Sequence, residues 1–360
     1  MVPPEVDLLK SWFPWTSAPL IVGAPMRSIS GPKLTAAVHA AGGVGFLGIG
    51  YELAALSPTI LTCQTLIPSA TTTSSTPLPF GVGFLTWNCS ITTALSHLLS
   101  NPRPPCAIWL FGCRNPNELT IWATSLKSSL PQTLLFYQAG SISEVDFSAQ
   151  LSSQGDRTPL IDAIVIQGVA DSGGHGLAKG ASIMTLLPEA IDHISNLKRT
   201  GKIPISRVIP ILAAGGIMDS RGATAALALG AHGIVLGTRL IATPESEAHE
   251  KFKELLVSTS DGGQHTVRTR VYDEIRGTGG WPEIFGGRAI ANKTYEDHEN
   301  GVPRETIVER YNKAVQENDF ERITAFAGTG VGLIHEIRPA KEIVEDVRHG
   351  TKALLSALPW

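Results

Sequence analysis

The chain has 360 residues, 43% of them hydrophobic and 17% charged, with a formal net charge of −3. That balance describes a well-cored protein and gives no electrostatic footing for nucleic acid or an anionic membrane surface as a partner. No apolar run reaches the ~18 residues a bilayer span needs, and Glu5 and Asp7 stand where a secretory leader would be basic, so a cytoplasmic protein is expected. Cys63, Cys89, Cys106 and Cys113 show no C-x-x-C spacing, so four reduced thiols and no metal site are expected.

Short apolar runs recur at 20–24, 44–48, 80–85, 107–111, 133–137, 161–166, 208–213 and 233–237. Several are continuous in Val, Ile and Leu, as strands buried on both faces of a parallel sheet are. Helix signals fall between them. Ser30, Gly31 and Pro32 open one before 33–41, residues 184–198 carry apolar side chains at helical spacing, and 219–229 is closed by Gly230. Eight such units predict an α/β fold, a TIM-type (β/α)8 barrel, rather than an open doubly wound sheet. The polar stretch 69–76 receives no function. Beyond the eighth strand, 244–257 reads as helical, and the Gly-rich 261–300 is too long for a simple connection. A smaller, mainly helical cap domain is therefore expected after strand eight, with 305–326 as one of its helices and 339–358 returning as the last barrel helix. The implied division is 1–257, 258–330 and 331–360.

The chemistry of a barrel sits at the C-terminal strand ends. Strand six is followed by Q-G-V-A-D-S-G-G-H-G, residues 167–176. Its glycines allow close backbone approach to a ligand, and His175 is suited to proton transfer near neutral pH. Strand seven ends in Ala213, Ala214, Gly215, Gly216 and Ile217; strand eight ends in Leu236, Gly237, Thr238 and Arg239. The N–H groups of Gly215, Gly216, Gly237 and Thr238 are placed to converge on one phosphate. Ala24, Pro25 and Met26 close strand one, where small residues would let a planar ring lie. Gln138 and Gln167 put two amides at the same rim. His39, His97, His193 and His249 read as ordinary solvated side chains. No G-x-S-x-G, H-E-x-x-H or P-loop motif supports triad, zinc or P-loop chemistry.

Taken in order, G-A-P-M, Q-G-x3-S-G-G-H-G, A-A-G-G-I and L-G-T-R resemble the nitronate monooxygenases, also called 2-nitropropane dioxygenases. The likeness runs from about residue 20 to 331 and takes in G-W-P-E-I-F-G-G-R-A-I-A-N and A-G-T-G-V-G-L. The resemblance implies an FMN-bearing barrel, with Ala24, Pro25 and Met26 against the flavin and Gln138 at its ring edge. Gly173 and Gly174 would lie near the cofactor, and Ala214, Gly215, Gly216, Gly237 and Thr238 would hold its phosphate. His175 matches the family's catalytic histidine, acting on a small nitronate or nitroalkane with O2 as the oxidant. Trp281, Phe285 and Arg288 of the cap would set the pocket. Two departures stand out. The Gln167–His175 spacing is one residue longer, with the extra residue around Ala170, and Gly83 stands where some members carry Asn. An FMN-dependent dehydrogenase, desaturase or enoyl reductase is the alternative, and a barrel without cofactor serving as a binding module is a third reading. The sequence leaves a homo-oligomer open.

Overall fold

The computed structural model describes residues 3–70, 76–153 and 159–357, so positions 71–75 of the polar stretch and 358, the final position of the expected last helix, lie outside the described residues. Eleven strands are seen among them: β1 Leu20–Gly23, β2 Phe46–Gly50, β3 Leu78–Leu85, β4 Pro105–Phe111, β5 Leu134–Ala139, β6 Ala163–Gln167, β7 Gly174–Leu177, β8 Ile211–Ala214, β9 Gly233–Leu236, β10 Thr266–Thr269 and β11 Phe285–Ile290. Eight form one sheet in the order β1-β9-β8-β6-β5-β4-β3-β2, every pairing parallel. The seam between β1 and β2 is drawn together by Val44, whose N–H donates to Ile21 O and whose carbonyl accepts from Gly23 N, both at 3.0 Å. Eight parallel strands thus make a barrel, as the sequence predicts.

Both faces of each strand are buried, but into different places. Leu20, Val22, Phe136, Ala163 and Val165 point into the barrel, where Phe46 and Trp109 pack with ring centroids 5.5 Å apart. Their neighbours Ile21, Leu135, Tyr137, Ile164 and Ile166 face the outer helices. The period of two supplies both cores from one run, which is why the runs read as continuous. A helix that the sequence reading does not anticipate, Pro4–Trp12, leads into Phe13, which is fully buried and sits 6.2 Å from Phe136. The N-terminal segment therefore plugs the end of the barrel away from the site.

Helices follow at Pro32–Ala40, Ile183–Arg199 and Ser220–Ala228, the last capped by the Asp219 carboxylate accepting from Arg221 N and Gly222 N. The helix Ala340–Ala357 packs against Ser220–Ala228 and Pro32–Ala40.

The segment after β9 differs from its expected outline. Only Glu250–Ser258 of the expected 244–257 helix is helical, preceded by the single turn Thr238–Ile241. The expected 305–326 helix is Arg304–Glu317, ended by Asn318 in the left-handed conformation (φ 51°). That early stop lets the chain run back so that Phe326 bridges Ala289. The segment also contributes two strands. β10 and β11 pair antiparallel, and β11 pairs in turn with β7 from the loop after β6.

The Arg348 side chain of the last helix donates to Ala41 O (2.7 Å) and Gly42 O (2.9 Å) beside the β1–β2 seam. Charge-assisted bonds at a buried site are worth about 1.5–3 kcal/mol each. Arg348→Ala should lower unfolding free energy by roughly 2–4 kcal/mol in urea denaturation, and an unchanged midpoint would show that the seam does not depend on this clamp.

Candidate active site

A cavity of about 400 Å³ lies at the C-terminal ends of the barrel strands. Ala24, Pro25, Met26, Gln138, Gly173, Gly174, His175, Ala214, Gly215, Gly216, Gly237 and Thr238 all line it. The fold thus brings these twelve residues together from the ends of five barrel strands.

Local geometry explains the glycines. Gly215 and Gly216 have φ of 103° and 75°, and an added Cβ would meet Gly168 O at 2.7 Å and Asp171 Cβ at 2.8 Å respectively. Their N–H groups donate to no backbone acceptor among the described residues. A Cβ on Gly237 would meet only Ala24 Cβ at 3.9 Å and Met26 Sδ at 4.0 Å, so its backbone borders open space. Unpaired N–H groups on a positive-φ turn form a concave donor set suited to an anionic group. Thr238 Oγ1 accepts from Gly328 N (3.1 Å), which leaves its hydroxyl proton free to donate. Gly83 packs under Pro25, whose ring an added Cβ would strike. An Asn there would displace Pro25, two residues past the end of β1.

The two amides are engaged differently. Gln138 Oε1 accepts from Trp109 Nε1 (3.0 Å), so its NH2 is the end left for a ligand. Gln167 Nε2 donates to the backbone carbonyl of His175 (3.1 Å), holding the histidine rather than a ligand.

His175 is not at the tip of a free loop. It lies within β7, opposite Gly287 of β11. The residues leading to it are held by guanidinium groups from the later segment. Arg268 donates to Val169 O (3.2 Å), Ser172 O (2.8 Å), Gly174 O (3.2 Å) and Gly286 O (2.6 Å), and to Ser172 Oγ (3.1 Å). Arg288 donates to Ala170 O (3.0 Å) and Thr266 Oγ1 (3.1 Å). The extra residue around Ala170 therefore falls within a turn whose carbonyls are taken up by these two side chains. Burial, with Arg288 nearby, pushes Arg268 down to about 10, which leaves it charged at neutral pH.

The imidazole is enclosed. Trp281 stacks on one face, with centroids 4.0 Å apart and planes 9° off parallel, and Phe326 lies 5.0 Å away at 58°. Nε2 is 2.8 Å from Asp273 Oδ2, and the two side chains are 16% and 5% exposed. Trp281 is backed by Trp87, Phe111 and Phe285 at 5.0–5.8 Å. Trp281 lines the cavity as expected, whereas Phe285 and Arg288 are not among the lining residues and act from behind it. Asp273, Arg268 and Phe326 are not anticipated from sequence. Asp273 lies 98 residues from its partner, and V-Y-D-E-I carries no signal beyond that of a helix.

Three other histidines are also better held than expected: His193 Nε2 bonds Asp146 Oδ1 (2.8 Å), and two more are fixed by their surroundings. His39 Nδ1 bonds Pro79 O (3.2 Å) under Trp15, and His249 caps the helix Glu250–Ser258 while bordering the cavity. The four cysteines are free. Burial pushes the Cys63, Cys89 and Cys113 thiols up to about 12, so they are poor nucleophiles. No helix among the described residues is long and apolar enough to cross a membrane.

A family model described as nitronate monooxygenase matches residues 125–350. The chain is 36% identical to the nitronate monooxygenase npaC of Metarhizium robertsii, over 96% of this chain and 94% of that protein. It is 35% identical to a nitronate monooxygenase of Neurospora crassa, covering 96% and 92%. Among solved structures it resembles FabK from Thermotoga maritima at 25% identity, with a TM-score of 0.71 and 97% of each chain covered. A nitroalkane oxidase from Streptomyces ansochromogenes shares the fold at 24% identity and a TM-score of 0.71, covering 98% of this chain and all of that one.

Arg268→Ala should free the 169–174 turn. Amide hydrogen exchange at 172–176 should rise, and unfolding free energy should fall by roughly 2–4 kcal/mol. Unaltered exchange would mean that the β7–β11 pairing alone holds His175.

Proposed function

The chain belongs to the nitronate monooxygenase family of oxidoreductases, and on that premise we propose that it is an FMN enzyme oxidising small alkyl nitronates or nitroalkanes with O2. The observation that carries this reading is the convergence on one cavity of a base, a free amide and an anion-binding turn. FMN, when bound, supplies the electron acceptor and passes the electrons to O2.

The residues present fit that group. Gly215 and Gly216 offer unpaired N–H groups, with Ala214, Gly237 and Thr238 beside them, to hold the phosphate. Ala24, Pro25 and Met26 offer a small, flat face for the ring, and the Gln138 NH2 is available to its edge. Gly174 leaves room on the opposite side, since an added Cβ there meets nothing within 4 Å, while Gly173 lets the chain pack closely on Gly328, whose N an added Cβ would meet at 2.5 Å. His175 takes the substrate's α-proton, or contacts the nitro oxygens when a nitronate enters. Trp281 and Phe326 keep water from the imidazole, which strengthens its electrostatic interactions. We also assign 1–257, 258–330 and 331–360 to barrel, cap and barrel return; the packing of Ala340–Ala357 on the barrel helices supports the last boundary.

Purified protein should be yellow, and heat should release a chromophore with the mass of FMN. Mixed with propyl nitronate it should take up oxygen and release nitrite. Turnover no faster than free FMN would remove the activity, and flavin bleaching without nitrite would point to a dehydrogenase instead. His175→Ala or His175→Asn should keep the colour and lose about 10²- to 10⁴-fold in turnover; near-normal activity would take His175 out of the reaction. Gly216→Val should weaken flavin retention, because φ of 75° and contact with Asp171 both oppose a branched side chain. A flavin content equal to the parent protein would place the anion site elsewhere.

A further inference from the structure

We propose that Asp273 is the positioning residue for His175, holding the imidazole proton on Nε2 and presenting Nδ1 alone to the substrate. The inference rests on the reading of His175 as the base. Its own support is geometric. Asp273 Oδ2 lies 2.8 Å from Nε2, while Oδ1 accepts from Thr278 Oγ1 at 3.0 Å. A buried carboxylate with both oxygens engaged as acceptors requires a proton on the facing nitrogen, which sets the tautomer. Nδ1 takes no hydrogen bond among the described residues, and it does not belong with the buried unpartnered atoms. The ring lines the cavity, and with Nε2 taken by Asp273, Nδ1 is the nitrogen left for a ligand.

Rotation about the ring is opposed from every side. Trp281 stacks on the ring, Phe326 lies against it at 5.0 Å, and the backbone of His175 is paired to Gly287 and bonded by Gln167. The partner is equally fixed. Arg270, next to the helix Val271–Ile275 that carries Asp273, donates to Trp281 O (3.2 Å), Pro282 O (3.0 Å) and Phe285 O (3.2 Å). Carboxylate and stacking indole therefore arrive as one braced unit. In the step itself, the substrate C–H bond breaks, its proton forms a bond to Nδ1, and the electron pair moves onto the nitro group. A nitronate and an imidazolium result, and Asp273 balances the new positive charge. The carboxylate never touches substrate; it acts through the ring.

The tautomer can be read directly. Protein labelled with ¹⁵N-histidine, as purified with its flavin, gives long-range ¹H–¹⁵N correlations, and loss of one set in His175→Asn assigns His175. A protonated Nε2 and bare Nδ1 are expected in the parent protein, and a mixture or the reverse in Asp273→Asn. A proton on Nδ1 in the parent overturns the proposal without any variant having to fold, as does an unchanged tautomer in Asp273→Asn. Thr278→Ala, a milder change, should retain the parental tautomer with a broadened signal. Turnover of a neutral nitroalkane should fall ~10²-fold in Asp273→Asn with the flavin retained. Parental turnover in His175→Asn removes the base itself. Lost turnover there with parental turnover in Asp273→Asn removes only the positioning role.

Discussion

The Arg268 guanidinium is the interaction on which the geometry at the mouth of the barrel rests. Residues 168–176 contain four glycines, so they have few side chains to pack and much backbone entropy to lose. A planar fork of donors meets that need, because its directions are fixed and its charge strengthens each bond. One side chain takes up four carbonyls and a hydroxyl, and Arg288 adds the carbonyl of the extra residue. Two neighbouring cations in a partly buried place repel each other, and the ring of carbonyl dipoles offsets that cost.

The work of the site divides between two parts of the chain. Barrel strand ends provide the unpaired N–H groups and the small side chains, which need only backbone and glycine. The segment after β9 provides everything that touches the imidazole from outside: the carboxylate, the indole and the phenyl ring. β7 and β11 are the hinge of that arrangement, since their register sets Gly287 opposite His175. Membership of the nitronate monooxygenase family accords with this division, because the family match at 125–350 takes in the strands β5 to β9 and the segment that follows them.

Much of this was legible in the sequence, for physical reasons. Strands buried on both faces leave continuous apolar runs, and turns needing positive φ leave glycine, so the barrel and the Gly215–Gly216 turn could be read locally. The pairing of His175 with Asp273 could not, because a contact across 98 residues leaves no periodic trace. β7 was hidden for a different reason. G-H-G-L has neither the β-branched content nor the alternation of a strand, and it is extended only because β11 arrives beside it. The helix expected at 305–326 failed at Asn318, where a left-handed residue ends a pattern that polarity alone would have continued. Arg288 was placed on the pocket wall by its motif, whereas its guanidinium turns toward Ala170 and Thr266.

The clamp from Arg348 to Ala41 and Gly42 joins positions 307 and 306 residues apart. A chain made from its N-terminus at about 5–20 residues per second needs roughly 15–60 s to cover that interval. For all of that time the first strands lack the helix that covers their seam. Until β9 emerges the nascent sheet has unpaired edges, β1 among them, and the Val44-bonded seam stays uncovered until the last helix arrives. Such edges are templates for association with other chains. For this fold, the period of greatest exposure to aggregation is set by the distance between Gly42 and Arg348 along the chain, and demand for chaperones should follow synthesis time more than final stability.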